Sequence, residues 1–255
     1  MSLALSARLA KRELRGGFKG FRILIACLAL GVAAIAAVGS IKQAIETGLS
    51  AEGATLLGGD AEAEFTYRFA SDEERAWLSD ISERMSEVVD FRSMILVERD
   101  GEKERALTQV KAIDDAYPLS GHVHMVDGSD FRSALMPKDG LASVVMERLL
   151  VDRLGIVAGD EVKIGTKTFR LGGILKSLPD GAGEGFGLGP RTLVYKTDLD
   201  DAGLLIAGTF FSSKYRLDLP QGSDFEAIAD LAESRFASSG LRWRDARNGA
   251  PGVAI

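Results

Sequence analysis

The two histidines of this sequence, His122 and His124, stand two positions apart, and Asp127 follows shortly after them. On a β-strand, residues two apart share a face, so both imidazoles would point the same way. Imidazole and carboxylate are zinc ligands, but a protein metal site normally combines three or four ligands with supporting hydrogen-bond partners. The sequence contains no further histidine. The pattern therefore favours a polar strand edge, and we predict no metal site.

Glycine occupies every second position from 181 to 189, a spacing that superficially resembles a phosphate-binding loop. Such loops bind anions because successive amides and the N-terminus of a following helix face the phosphate. Here Pro190 and a strand-like segment follow, no lysine stands at the expected position, and Glu184 would repel a phosphate. We therefore predict a surface loop and no nucleotide site.

Motifs for nucleophilic catalysis are also absent from the sequence. Neither G-x-S-x-G nor H-E-x-x-H occurs, and the only cysteine, Cys27, lies in an apolar run. Carboxylates are abundant, but none is singled out by its neighbours, so ordinary solvated faces explain them. We predict no catalytic residue, no cofactor-binding residue and no metal ligand, and we do not expect an enzyme or a cofactor.

The apolar run around Cys27 extends from Ile23 to Ile41 without a charge or a proline. As an α-helix it would measure about 28 Å, close to the ~30 Å hydrocarbon core of a bilayer. A backbone inside lipid must satisfy its own hydrogen bonds, so we predict a transmembrane helix over residues 23–45. Residues 1–22 carry six basic side chains and one acidic one, which indicates a basic amphipathic segment on the cytoplasmic side.

An alternative interpretation of the same run is a cleaved secretory signal. Small residues at Ala34–Ala36 and Ala37–Gly39 would suit a signal peptidase. The rest of the chain would then be a secreted or membrane-anchored binding or adaptor domain without transport activity. A retained span is favoured because the apolar run exceeds the usual length of a signal and an apolar helical face continues beyond it.

Charge limits the possible partners of the domain that follows the run. The chain has a net charge of −6, and residues 1–22 contribute +5, so the remainder carries −11. Nucleic-acid binding needs a basic footprint, so we expect no nucleic-acid partner. The basic tail suits the anionic inner face of a membrane, which makes membrane lipid an expected partner.

Apolar periodicity divides the remaining chain into an α+β pattern with an insertion. Residues 46–113 begin with a connector at Gly48–Gly59 and read as β-α-β-β, with a capping box at Ser71–Glu74, a helix to about Glu87 and a hairpin turn at Asp100-Gly101. Residues 209–247 read as β-α-β, with a second capping box at Ser223–Glu226.

The two outer halves would pair in one sheet, and residues 114–208 form a β-rich insertion between them. Within the insertion, a helix is predicted over Ala142–Leu154 and a shorter one over Thr197–Leu205. Residues 248–255 are predicted to be a linker toward a second span that the sequence does not include.

Three segments together resemble the FtsX/MacB-type ABC transporter permeases, and their YbbP-like group in particular. They are RELRGGFKGFRILIACLALGVAAIAAVGSI, ERLLVDRLGIVAGDEVKIGTKTFRLGGIL at 147–175, and GPRTLVY at 189–195. The resemblance implies an inner-membrane protein with a cytoplasmic N-terminus. Its large periplasmic domain would consist of a porter-like α+β part, at 46–113 and 209–247, interrupted by a smaller sabre-like part at 114–208.

The resemblance also implies how such a protein would work. A cytoplasmic ABC ATPase on a separate chain would hydrolyse ATP, and the resulting motion would drive periplasmic handling or extrusion of a lipid or another hydrophobic envelope substrate. An esterase of the lysophospholipase type is a further implied periplasmic partner. The sequence departs from the family pattern because it ends before a second span.

Overall fold

The computed structural model describes residues 18–99, 101–180, 189–200, 202–205 and 209–246, without the side chains of 18–23, 41–52 and 237. Most of the predicted 1–22 segment, the glycine-rich loop at 181–188 and the predicted linker at 248–255 lie outside these residues. The chain forms two units, residues 1–49 and residues 50–255.

Helix α1, Phe18–Leu57, contains the whole apolar run. Every side chain described from Leu24 to Ser40 is exposed. Among the described residues, no helix has both the length and the hydropathy that a membrane crossing requires.

The connector predicted from Gly48 is wrong, because α1 continues to Leu57. Gly53 lies inside the helix and against the carbonyl of Ala246, where a Cβ would not fit. This close contact explains why a glycine occupies a helical position. The chain leaves the helix at Gly58, whose φ of 85° is a conformation that glycine adopts without strain.

In the part of the chain that the structure describes, ten strands form one sheet in the order β10-β1-β9-β2-β3-β8-β5-β7-β4, with β6 pairing β2 and β7. The strands are β1 Ala61–Thr66, β2 Arg84–Arg99, β3 Glu102–Ile113, β4 His124–Met125, β5 Ser143–Glu147, β6 Glu161–Ile164, β7 Lys167–Ser177, β8 Arg191–Tyr195, β9 Phe211–Asp218 and β10 Arg242–Asp245. The helices after α1 are α2 Asp72–Ile81, α3 Phe131–Leu135, α4 Arg148–Leu154 and α5 Phe225–Phe236. The structure is therefore mixed α/β.

The sheet has an open part and a closed part. The open part contains β10, β1, β9 and the first half of β2, all antiparallel. Helices α2 and α5 cover one of its faces, and Trp77, Leu78 and Phe236 pack there against Phe65 and Tyr215. The predicted pairing of the β-α-β-β half with the β-α-β half is confirmed, since β9 lies between β1 and β2.

The closed part is a ring of six strands, β2-β3-β8-β5-β7-β6, in which β6 returns to pair with β2. Two of its pairings, β3–β8 and β5–β7, are parallel. Apolar side chains fill the ring, among them Phe91, Ile95, Val110, Met146 and Phe169. Because β2 belongs to both parts, the two parts share one continuous sheet.

Two predicted helices differ from the observed elements. The helix of the first half was predicted to continue to about Glu87, but it ends at Ile81, and Arg84–Glu87 lie in β2. The helix predicted over Ala142–Leu154 is strand β5 followed by the shorter helix α4. Strand β5 is buried on both faces, and a continuous apolar run does not distinguish such a strand from a buried helix.

Smaller corrections concern caps and turns. The capping box at Ser71 and Glu74 is confirmed in both directions. The second helix is capped one residue later than predicted, because the Asp224 carboxylate accepts the amides of Glu226 and Ala227. The helix predicted over Thr197–Leu205 is only a 3-10 turn, Lys196–Leu199.

Candidate functional site

The residues weighed as metal ligands in the sequence do not form a cluster. His122 and His124 are both exposed, and only His124 belongs to a strand. Within the described ranges, no three His, Cys, Asp or Glu side chains are arranged to hold a metal ion.

The candidate site is the face of the open sheet opposite helices α2 and α5. Register places Glu62 of β1 between Arg216 and Arg244, and Glu64 between Lys214 and Arg242. Strands β2 and β3 continue the same face. We call this surface the charged face, and define it as Glu62, Glu64, Asp90, Arg92, Lys111, Lys214, Arg216, Arg242 and Arg244, with Asp180 packed on it.

Asp180 lies at the buried end of the charged face and is fully buried. Its carboxylate accepts hydrogen bonds from Lys111 Nζ at 2.8 Å and from the Tyr117 hydroxyl at 2.8 Å, and it pairs with Arg216 Nη1. Burial alone would raise the pKa of this carboxyl, but the charges of Arg216 and Lys111 outweigh that effect and lower the pKa far below its usual range. Asp180 is therefore a fixed anion.

Asp90 is the second buried anion of this face. Lys214 Nζ lies 2.8 Å from one of its oxygens and Lys111 Nζ 3.6 Å from the other. Burial opposes ionisation, yet the two ammonium groups lower the pKa of Asp90. Lys111 therefore connects Asp90 to Asp180 at the centre of the network.

Arg216 connects the same network to the start of β1 and the end of α1. Its Nε lies 3.4 Å from Glu62, which also pairs with Arg244. The guanidinium lies so close to Gly58 that a Cβ at that position would be 2.9 Å from Arg216 Nη1. A larger residue at Gly58, directly after the last turn of α1, would therefore press against the buried guanidinium of Arg216.

At its other end the charged face opens into a groove of about 1160 Å³. Charged side chains line the groove, including Asp90, Arg92, Lys214, Arg242 and Arg244. The aromatic side chains of Tyr67, Phe210 and Phe211 line it as well. The rings of Tyr67 and Phe210 meet edge to face, with centroids 5.2 Å apart.

A smaller polar cluster lies on the helix-covered side of the sheet. The Glu87 carboxylate accepts Arg75 Nη2 and Lys196 Nζ, both at 2.7 Å, and the Tyr215 hydroxyl lies 3.2 Å away. Burial and the neighbouring Glu87 carboxylate raise the pKa of Tyr215 to about 12. A second pair, Arg68 and Glu74, fixes the start of α2.

Sequence reasoning missed the charged face, although a signal was present. In β1 glutamates alternate with small and aromatic residues, and in β9 and β10 basic residues alternate in the same way. One acidic and two basic strands of this kind can pair with the acidic strand in the middle. The buried position of Asp180 had no comparable signal, because it depends on a loop far along the chain.

Comparisons with known proteins agree on one family. The family model described as "MacB-like periplasmic core domain" matches residues 23–234. The uncharacterized ABC transporter permease YbbP of Escherichia coli (strain K12) is 28% identical over 189 residues, which is 74% of this chain and 22% of that protein. The chain thus spans about a fifth of the length of the curated relative that it matches.

Three domains of solved structures also match this chain, each at low identity and with a TM-score below 0.5. A domain of a putative permease from Porphyromonas gingivalis is 13% identical, with a TM-score of 0.47 over 73% of this chain and 89% of that one. The periplasmic region of MacB from Actinobacillus actinomycetemcomitans is 11% identical, with a TM-score of 0.46 over 76% and 92%. The extracellular domain of the noncanonic ABC-type transporter YknZ from Gram-positive bacteria is 15% identical, with a TM-score of 0.43 over 72% and 98%.

Proposed function

This chain belongs to the family of MacB-like periplasmic core domains, and from that premise we propose that it is the N-terminal part of a MacB/FtsX-type ABC transporter permease. The family match over residues 23–234 carries the proposal, because it includes the apolar run, the closed ring and every strand of the open part except β10. The YbbP relationship supports the same assignment.

In this proposal residues 23–45 of α1 cross the inner membrane. Residues 1–22 remain in the cytoplasm, and the charged part of the chain that follows lies in the periplasm. The uncharged run from Ile23 to Ile41 and the exposure of its described side chains support the location in lipid. The basic residues before the run support the orientation.

The periplasmic part is proposed to divide as the sequence pattern suggests. A porter-like part would comprise residues 46–113 and 209–247, and a sabre-like part residues 114–208, with 248–255 leading to a later span. The adjacency of β1, β9 and β2 supports the pairing of the porter-like halves. The closed ring contains strands β5–β8 of the sabre-like part together with β2 and β3 of the porter-like part.

The proposed mechanism needs no chemistry in this part of the permease. A partner ABC ATPase would hydrolyse ATP in the cytoplasm, and motion of the spans would reach the periplasmic domain through the end of α1. Gly58 and Arg216 are the contact that supports this route. The substrate would be a lipid or another hydrophobic envelope compound, and a periplasmic esterase of the lysophospholipase type is a candidate partner.

The location is tested by fusing alkaline phosphatase, or green fluorescent protein, after Asp60. We expect phosphatase activity and no fluorescence, because the fusion point would lie in the periplasm. Fluorescence without phosphatase activity would refute the proposal. Intact mass spectrometry distinguishes the membrane-anchored protein from the alternative, a secreted binding domain. Cleavage near Gly39 would remove the anchor and lower the mass accordingly.

The coupling is tested on the full-length permease. We expect a cytoplasmic ABC ATPase to co-purify with it from detergent-solubilised membranes, and ATP hydrolysis by that complex to respond to a deletion of residues 50–246. A permease that purifies without an ATPase under conditions that preserve other ABC complexes would contradict the proposal.

A further inference from the structure

Strands β2 and β3 carry exposed apolar side chains on the outside of the closed ring. Met94 and Leu107 face outward, because their chain neighbours Ile95 and Ala106 belong to the core that fills the ring. The two residues are partners in register, 48% and 41% exposed, and such partners lie about 5 Å apart. Isolated exposed apolar residues are common in folded domains, but a contiguous group indicates an interaction surface.

Basic side chains lie on both sides of this apolar pair along the strands. Arg92 precedes Met94 by two positions and therefore shares its face. In the other direction, Leu96 is the register partner of both Arg105 on β3 and Lys163 on β6, so these two cations flank a half-buried leucine. All three cations are exposed, and none of them forms an ion pair among the described residues.

An exposed aromatic ring extends the surface beyond Arg92. Phe210 lies beside Arg92, because the next residue of each strand, Phe211 and Phe91, form a register pair. Phe210 is 78% exposed and meets Tyr67 edge to face. We call this surface the basic patch, and define it as Arg92, Met94, Leu96, Arg105, Leu107, Lys163 and Phe210.

The basic patch differs in charge from the chain that carries it. Its three cations have no carboxylate among them, whereas the net charge of the chain is −6. The next register pair along β2 and β3, Glu98 and Lys103, is an ion pair and therefore neutral. A negatively charged surface would be attracted to the patch and repelled by much of the remaining chain, which would fix its orientation.

We propose that the basic patch is the docking surface for a partner protein whose own surface places carboxylates around an apolar centre. Met94 and Leu107 would be buried against that centre, and the three cations would pair with the carboxylates. Arginine, methionine and aromatic side chains are the types enriched in protein interfaces. The inference rests on the proposed function, because it gives the surface at which the proposed periplasmic domain meets a partner protein.

Three other occupants fit the basic patch less well. A second copy of the chain, docked through the same patch, would bring cations against cations. A small anion would pair with the arginines and leave Met94 and Leu107 exposed to water. On a pleated sheet these two side chains protrude no further than Arg105 and Lys163, so a bilayer that covered them would remove both charges from water.

The test places the photoreactive residue p-benzoylphenylalanine at Leu107 of the full-length permease, produced in its own host. Intact cells are irradiated, and mass spectrometry identifies the adduct and its cross-linked peptide. We expect one predominant adduct with a partner protein, through a peptide that contains several aspartates or glutamates. The same photoreactive residue at Leu149, exposed on α4 outside the patch, should give little of this adduct.

Charge reversal tests whether the cations hold the partner. Arg92→Glu combined with Arg105→Glu should lower the yield of the adduct by about fivefold or more, because like charges would then face each other. Arg92→Lys combined with Arg105→Lys keeps the charge and should retain most of the yield. Lys138→Glu combined with Arg153→Glu is the matched control, because it reverses two exposed cations outside the patch and should leave the yield unchanged.

Binding of the purified partner separates attraction from mere proximity. We expect the Arg92→Glu and Arg105→Glu permease to bind it about tenfold more weakly, with a smaller dependence on salt. Changing a carboxylate of the cross-linked peptide to lysine should weaken binding to the unmodified permease and improve binding to the charge-reversed one. Unchanged thermal unfolding of each variant shows that its domain is folded.

The proposal is overturned if the residue at position 107 cross-links only to lipid, to glycan, to a second copy of the permease or to nothing. It is also overturned if reversal of Arg92 and Arg105 lowers the yield no more than reversal of Lys138 and Arg153, or if the purified partner binds both permeases equally. A permease that fails these tests but keeps its ATPase and its periplasmic domain refutes the docking surface alone. Loss of those two properties refutes the proposed function.

Discussion

Replacing Asp180 by asparagine tests whether the buried network holds the charged face together. The substitution keeps the size of the side chain and removes one negative charge from a fully buried position. Lys111 and Arg216, both about 1% exposed, would lose their shared carboxylate, and the Tyr117 hydroxyl would lose a charged acceptor.

Breaking a buried ion pair by removing one partner costs about 3–5 kcal/mol, since the remaining charge stays out of water. Lys111 and Arg216 retain Asp90 and Glu62, but these carboxylates already serve Lys214 and Arg244. We therefore expect Asp180→Asn to lower the free energy of unfolding by about 3–5 kcal/mol. For a unit of this size the loss corresponds to a fall in Tm of about 6–20 °C.

Thermal unfolding is measured in detergent by tryptophan fluorescence. The chain has two tryptophans, Trp77 in α2 and Trp243 in β10, whose ring centroids lie 6.0 Å apart, so they report on the packing of the helices against the open sheet. Arg99→Gln is the matched control, because it breaks an exposed pair with Asp160 and should cost less than about 1 kcal/mol.

A double variant, Asp180→Asn with Lys111→Met, should recover part of the loss, since it removes an uncompensated cation together with the anion. If Asp180→Asn destabilises the protein no more than Arg99→Gln, the network does not stabilise the fold as argued.

Three further predictions concern positions with a defined geometry. Gly58→Ala should destabilise the protein about 1 kcal/mol more than Gly101→Ala, because both glycines have φ near 85° but only at Gly58 would a Cβ meet Arg216. Equal losses in chemical denaturation would show that Arg216 moves aside freely. Glu74 has a pKa lowered to about 2 by hydrogen bonds from Arg68, so its contribution to stability is complete above its ordinary value of 4.5 and is lost as the pH falls toward 2. Glu74→Gln should flatten the acid-unfolding profile between these pH values, and an unchanged slope would contradict the assignment. The pKa of Tyr215, raised by burial to about 12, means that the protonated hydroxyl contributes stability below pH 10 that is lost as the pH rises through 12. Absorbance titration should show a tyrosine that ionises near pH 12, and Tyr215→Phe should reduce the amplitude of that step. An amplitude near pH 12 that the substitution leaves unchanged would refute this.

Local patterns predicted the open sheet well, because alternation along a strand and a capping box are short-range features. Residues 46–113 were predicted as β-α-β-β, which matches β1, α2, β2 and β3, and Ser71 with Glu74 marked the start of α2. The confirmed order β-α-β-β and β-α-β then left few ways to pair the strands.

Local patterns failed where burial came from distant elements. Strand β5 is apolar on both faces because Val144 and Met146 belong to the ring core and Val145 belongs to a second apolar cluster with Leu135. A short apolar run of that kind is equally compatible with a helix. The closure of the ring by β6 on β2 joins residues about seventy positions apart, from Ile95 to Ile164, and no local signal encodes it. For the same reason the sequence did not distinguish Asp180 from the other carboxylates of the chain.

The distribution of charge on the sheet follows from the cost of burying it. Four carboxylates of the charged face, Glu62, Glu64, Asp90 and Asp180, are matched by Lys111, Lys214, Arg216 and Arg244, so the buried and half-buried part is neutral. The surplus is carried by Arg92 and Arg242, the two cations most open to water. An uncompensated charge is tolerated only where solvent or a ligand can surround it. The neutral part therefore stabilises the fold, and the surplus charge lies where water surrounds it.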